Sequence, residues 1–159
     1  MTKQGAAVGT KSKSSQSSAN YSEFVQPFLK WAGGKRQLLP TLRKYIPVHY
    51  RTYHEPFLGA AAVLFEIQAQ TARINDANVE LINCYRVIKE QPEELIAHAC
   101  SHPINKEYFY SLRSKDRDPE FDELSSVERA SRIIFLNKTC YNGLFRVNSR
   151  GQFNVPFGK

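Results

Sequence analysis

The chain has 159 residues, of which 42% are hydrophobic and 12% aromatic, and carries a formal net charge of +7. This is the composition of a globular protein with room for one substantial core, and no apolar run approaches the roughly 18 residues a membrane-spanning helix needs. Cys84, Cys100 and Cys140 are odd in number and contain no Cys-x-x-Cys pair, so no disulfide framework or zinc ribbon is supported, and a reducing, cytoplasmic setting fits.

Residues 1–22 are rich in Ser, Gly, Ala and Lys and lack the apolar core of a secretory signal; they read as a flexible basic arm. Structure is expected to begin near Phe24. "KWAGGKRQLLPTLRKYIP" opens with a Gly-Gly loop, followed by a short helix with Leu38, Leu42 and Tyr45 on one face and Pro40 in its first turn. "RTYHEPFLG" reads as a strand closing in a Pro/Gly turn, and "AAAVLFEIQAQ" as a helix packing Val63, Ile67 and the alanines. "ARIND" is a second short strand. "NVELINCYRVIKE" is a helix with Leu81, Cys84, Tyr85 and Ile88 in register. Strand, turn, helix, strand, acid, helix is the opening of a parallel, nucleotide-type α/β fold.

After Pro92 the texture becomes helical: "PEELIAHAC", "NKEYFYSLRSK", a charged loop "DRDPEFDE", then a capping box of Ser125 and Glu128 before "VERASRIIFLNKT". In this last helix Val127, Ala130, Ile134 and Asn137 share a stripe. His98, Cys100 and His102 form a His-x-Cys-x-His run in which only the two histidines would share a helix face, and no fourth ligand is near, so no metal site is expected.

Charge is segregated along the chain. Between Glu23 and Glu55 there is no acid but six cations, Lys30, Lys35, Arg36, Arg43, Lys44 and Arg51; after Glu128 there are six more, Arg129, Arg132, Lys138, Arg146, Arg150 and Lys159, again without an acid. Basic segments bracketing an acidic one point to a polyanion-binding face, although an unevenly charged solvated surface has the same pattern.

Three stretches carry candidate chemistry. Gly59 at the strand-to-helix turn allows close approach of a ligand, and Asp76, about 20 residues beyond, is placed to accept hydrogen bonds from ribose hydroxyls; a tight turn with an acidic cap reads the same way. Trp31, the chain's single tryptophan, stands beside Gly33 and Gly34 and between Lys30 and Lys35. It is suited to stack on a base, cap a pocket or anchor the loop. In "YNGLFRVNSRGQF", Asn142 and Arg146 suit base edges, Tyr141 or Leu144 suits an opened base step, and Arg150 projects from a short hairpin; a hairpin with a solvated basic face is the alternative.

"PFLKWAGGKRQLL", "YHEPFLGAAAVLF", "INDANVELIN" and "NKTCYNGLFRVNSRGQFNVPFGK", in this order, closely resemble the Dam-type adenine-specific DNA methyltransferases over residues 25–159. The resemblance implies S-adenosylmethionine as cofactor and methylation of the exocyclic amine of adenine in double-stranded DNA, with a last block similar to that of enzymes reading GATC. It implies that Trp31, Lys35, Glu55, Phe57, Gly59 and Asp76 line the methyl donor and that Tyr141, Asn142, Leu144, Arg146 and Arg150 meet DNA. No membrane partner is implied.

Two departures bear on function. Where the family turn reads Phe-x-Gly-x-Gly, Ala61 replaces the second glycine, which is tolerable if that position is already helical. The family's catalytic Asp-Pro-Pro-Tyr is absent, since all eight prolines are isolated. The expected fold is therefore α/β, an incomplete Rossmann-like methyltransferase domain followed by a mostly helical DNA-recognition domain. Residues 1–22 form the arm, 23–90 the first part of the donor-binding domain, 91–150 the recognition domain, and 151–159 the return toward a missing catalytic half. No catalytic residue is expected in this chain, which reads as truncated and inactive alone. A non-catalytic DNA-binding remnant and half of a split enzyme completed by a second polypeptide are the alternatives.

Overall fold

The computed structural model describes residues 26–158, so the expected arm over 1–22 lies outside the described residues, and Gly33 and Gly34 form the loop before the first helical turn. A 3₁₀ turn (Lys35–Leu38) runs into a single helical turn, α1 (Leu39–Leu42), with Pro40 at its start. The apolar face expected here is not buried: Leu38 is 55% and Tyr45 78% exposed. The helix is only four residues long, and the chain leaves it before Tyr45 can share its register.

β1 (Tyr53–Glu55), α2 (Ala62–Ile67) and β2 (Ala72–Ile74) form the expected strand–helix–strand unit, shorter at every element than the sequence pattern indicates. β1 and β2 pair in parallel, with Tyr53 opposite Ala72, His54 opposite Arg73 and Glu55 opposite Ile74. α2 stops at Gln68, whose backbone turns left-handed at φ 45° while its N–H reaches Leu64 O. α3 (Val79–Glu90) is capped by Asn78, whose Oδ1 accepts from Leu81 N at 2.9 Å.

α4 (Pro92–Cys100) and α5 (Lys106–Ser114) follow, the second capped by Asn105. The charged stretch expected as a loop is instead two 3₁₀ turns, Lys115–Arg117 and Pro119–Glu123. α6 (Ser126–Thr139) begins in the predicted capping box, with Ser125 and Glu128 satisfying each other's backbone N–H. A further 3₁₀ turn (Tyr141–Gly143) leads to two isolated antiparallel bridges, Val147 to Phe153 and Cys140 to Phe157. The result is a mixed α/β unit with a small two-stranded parallel sheet and several helices.

α6 is the organising element, packing on α3, α4 and α5. One core cluster joins Leu29, Leu58, Ala61, Leu81, Cys84 and Leu95 to Val127, Ala130 and Ile133 of α6. Position 90, the expected division, coincides with the α3–α4 junction, and this cluster draws on both sides of it. A second cluster gathers Phe109, Phe135, Leu136, Cys140, Phe153 and Val155, so that the C-terminal segment is held by α5 and α6.

Polar groups fasten that segment. Arg132, only 3% exposed on α6, donates to Leu112 O and Arg113 O and pairs with Asp116 Oδ2 at 2.9 Å. The same Asp116 oxygen accepts from Phe153 N at 2.7 Å, while Arg117 donates to Phe153 O and Arg113 to Val155 O.

His102 follows the α4 C-cap rather than sharing a helix with His98, so the expected common helix face does not exist, although the rings meet at 5.2 Å. Among the described residues no cluster of His, Cys, Asp and Glu could hold a metal ion. His102 is buried between hydroxyls, Tyr108 Oη at 2.6 Å from Nδ1 and Ser131 Oγ at 2.8 Å from Nε2. A neutral imidazole can donate at one nitrogen and accept at the other. Burial, and secondarily His98, hold the His102 pKa below the ordinary 6.5. As pH falls below that value the unfolded chain binds a proton the folded chain resists, so stability is full above about 7 and declines toward 5. Urea melts from pH 7.5 to 5 should show this slope, and His102→Gln should flatten it.

Candidate methyl-donor and DNA-recognition sites

The turn after β1 is built on backbone exchange between the strands. Asn75 N donates to Glu55 O and Leu58 N to Asn75 O, both at 2.9 Å, which lays residues 56–61 across the end of the sheet. Gly59 has φ 54°, a left-handed conformation that glycine adopts without strain, and a Cβ there would lie 3.6 Å from Trp31 Cδ1. Asp76, at the end of β2, closes the turn: Oδ2 accepts from Gly59 N at 2.9 Å and Oδ1 from Asn78 N at 3.0 Å. Both carboxylate oxygens keep a lone pair for further donors.

Ala61 is also left-handed, at φ 57° and ψ 29°, and fully buried. The position is therefore a left-handed cap preceding α2, and the expected helical tolerance of alanine is corrected. The methyl group sits in a conformation that costs an L-residue roughly 1–2 kcal/mol, offset by its burial in the first core cluster.

Lys35 reaches the same turn from the preceding loop. Its Nζ lies 3.1 Å from Glu55 Oε1 and donates to Phe57 O. Glu55 is 4% exposed, and its Oε2 is buried without a protein partner. Phe57, by contrast, is 76% exposed. Trp31 is half-buried and stacks on Phe145, with ring centroids 4.4 Å apart and an interplanar angle of 20°. The structure thus brings Lys35, Glu55, Phe57, Gly59 and Asp76 to one turn, with Trp31 against Gly59.

Sequence reasoning did not assign Tyr85 to this turn. Its hydroxyl donates to Gly59 O at 3.2 Å, and burial first, then nearby Cys84, Glu55 and Asp76, raise its pKa above the ordinary phenol value, so it remains a donor. A tyrosine on the inward face of the helix that follows Asp76 was the available signal. Burial likewise pushes the Cys84 thiol up to about 12, which leaves it no nucleophile.

The second candidate region lies beyond α6. Tyr141 (52%) and Leu144 (42%) are exposed apolar side chains on either side of Asn142, which is itself exposed with φ 55°. Residues 148–151 form the expected turn: Gly151 N donates to Asn148 O at 3.0 Å, and Asn148 Oδ1 accepts from the N–H groups of Arg150 and Gln152. Arg150 is exposed at its tip. Arg146 is exposed too, with Nε on Asn154 Oδ1 at 2.8 Å, which presents the rest of its guanidinium outward.

Comparison with known proteins matches the sequence to one family. Residues 31–159 fit the description of the D12 class N6 adenine-specific DNA methyltransferases. The chain is 51% identical over 137 residues to the type II methyltransferase M1.LlaDCHI of Lactococcus lactis subsp. cremoris, covering 85% of this chain and 48% of that protein. It is 39% identical over 153 residues to M.MjaIII of Methanocaldococcus jannaschii (85% and 53%), and 35% over 139 residues to the DNA adenine methylase of Escherichia coli K12 (83% and 47%). The chain spans about half the length of these relatives. The match runs through the Trp31 loop, the Gly59 turn and the 141–150 region alike, and on it this chain belongs to the D12 class of N6 adenine-specific DNA methyltransferases.

Proposed function

We propose that the chain carries the first part of an S-adenosylmethionine site and most of a DNA-recognition surface, with β1 and β2 as strands of a Rossmann-like sheet. The observation that carries the reading is the Gly59 turn closed by Asp76, with Trp31 joining it to the exposed 141–150 region.

The residues fit such a donor. Glu55 Oε2 is a buried acceptor without a protein partner, suited to a cationic group, and Asp76 retains lone pairs for ribose hydroxyls. Exposed Phe57 and half-buried Trp31 offer apolar faces. When bound, S-adenosylmethionine supplies an electrophilic methyl group. Lys35, by pairing with Glu55 and holding Phe57 O, fixes the floor on which the donor would rest. Positioning of this kind is the main contribution a protein makes to a single displacement by an adenine amine.

Double-stranded DNA is the proposed substrate, with GATC the target by likeness of the 141–150 block, and the cytoplasm the proposed setting. Arg146→Ala should reduce discrimination between target and altered duplex by about 1–3 kcal/mol, as for loss of a good base contact. Competition binding checks this, and equal losses on both duplexes would mark a phosphate contact instead.

No Asp-Pro-Pro-Tyr occurs among the 159 residues. On that observation we expect a polypeptide of this sequence alone to bind without transferring methyl, as a recognition module or as half of an enzyme completed in trans. Incubation with GATC-containing DNA and labelled donor tests it; label on adenine above background would refute the expectation.

A further inference from the structure

Asn137 is 1% exposed on α6 and belongs to neither group of candidate residues. Its side-chain amide is used at both ends. Oδ1 accepts from Lys30 N at 2.9 Å, while Nδ2 donates to Lys30 O at 2.8 Å and to Gly143 O at 3.0 Å. Lys30 immediately precedes Trp31, and Gly143 closes the Tyr141–Gly143 turn. One buried amide therefore binds both backbone groups of a loop 107 residues distant and the carbonyl of a turn six residues ahead.

Two further contacts tighten the same junction. Trp31 stacks on Phe145, two residues past Gly143. Gly143, at φ 65°, lets the Lys30 side chain cross the turn, since a Cβ there would lie 2.4 Å from Lys30 Cδ and 3.2 Å from Lys30 Cβ. If packing were the only requirement at Asn137, a leucine of similar volume would bury more favourably, because a buried amide must recover its lost hydration through hydrogen bonds. What leucine cannot do is set the loop and the turn in one register.

We infer that Asn137 is a positioning residue whose amide holds the Trp31 loop, beside the Gly59 turn, in fixed register with the Tyr141–Gly143 turn that opens the 141–150 surface. The consequence for DNA discrimination rests on the function proposed above; the mechanical joint does not. Coupling of this kind needs a physical connection that both sites bias, and the Asn137 amide supplies one.

Trp31 is the chain's single tryptophan, so its fluorescence reports on the joint directly. Asn137→Asp is nearly isosteric. It keeps the acceptor for Lys30 N but turns two donated hydrogen bonds into oxygen–oxygen repulsions. In the full 159-residue chain, with circular dichroism confirming the fold, Trp31 emission should shift to the red and become more open to acrylamide. Preference for a GATC duplex over a scrambled one should fall at least about fivefold, the scale of one or two lost buried hydrogen bonds, with affinity for the scrambled duplex unchanged. If Asn137→Asp does not fold, uncharged Asn137→Ser replaces it with the same expectations. Folded variants with wild-type emission and quenching would overturn the inference, as would shifted emission with intact discrimination. A wild-type chain showing no preference between duplexes would refute the proposed function instead, and the Trp31 signal would then decide the joint by itself.

Discussion

Asp116→Ala is expected to cost the fold about 3–5 kcal/mol, the loss seen when one partner of a buried ion pair is removed and the other is left uncompensated. Arg132 would be that remaining charge, 3% exposed on the central helix, where burial already pulls its pKa below the usual arginine value and Asp116 opposes that pull. The same substitution frees Phe153 N from its carboxylate acceptor and releases the neighbouring Arg117. A loss of this size is comparable to the whole stability of many small domains. Urea denaturation followed by circular dichroism should show a chain largely unfolded in the absence of denaturant. Replacing the charges together, with Asp116→Asn and Arg132→Met, should recover part of the loss, because no unpaired buried charge remains. A single Asp116→Ala variant within about 1 kcal/mol of wild type would show that water reaches Arg132 and that the pair holds nothing together.

The second large effect is expected at Asp76. Its two oxygens accept from Gly59 N and Asn78 N, hydrogen bonds to a charged acceptor worth roughly 1.5–3 kcal/mol each. Asp76→Ala should therefore destabilise the chain by about 2–4 kcal/mol and leave the Gly59 N–H without its acceptor. On the proposed reading it should also abolish donor binding, which titration calorimetry with S-adenosylmethionine measures. Asp76→Asn separates the two roles. It retains one acceptor for the turn but replaces an acceptor with a donor toward the ribose side. Stability should fall by about 1–2 kcal/mol, the scale of one weakened hydrogen bond, while donor affinity is lost almost completely. If donor affinity survives in Asp76→Asn, the carboxylate is a strut for the turn and not a ligand group.

Much of the architecture was legible because its signals are local. Asn78, Asn105 and Ser125 each cap a helix within three residues of themselves, and the spacing of Ser125 and Glu128 marks the start of α6 without reference to any distant part. The order of β1, α2, β2 and α3 follows from a change of hydrophobic period and from the Pro-Phe-Leu-Gly turn. The exposed turn at 148–151 needs only Asn148 and Gly151.

The failures share a different cause. Leu38, Leu42 and Tyr45 have helical spacing, yet α1 ends at Leu42; only Leu42 is half-buried where α1 meets α2, and Leu38 and Tyr45 stay exposed because the short α2 offers them too little surface. Ala61 gives no local sign that it is left-handed; the conformation is imposed by a turn that must bring Gly59 N onto Asp76. The charged stretch after α5 reads as a solvated loop, but Asp116 and Arg117 are drawn inward by Arg132 and Phe153 and tighten it into 3₁₀ turns.

The sequence by itself determined the family, the order of the elements, and the residue types at the Gly59 turn and the exposed basic turn, since each rests on a contiguous motif. Only the tertiary structure decided that these motifs meet. Trp31 finds Phe145, Lys30 finds Asn137, and the first core cluster crosses the expected boundary at 90. The first two contacts join residues more than 100 positions apart, and no periodicity or capping signal encodes any of the three. They arise because α6 must bury an apolar face, and the surface available to it is the helix and loop that frame the Gly59 turn.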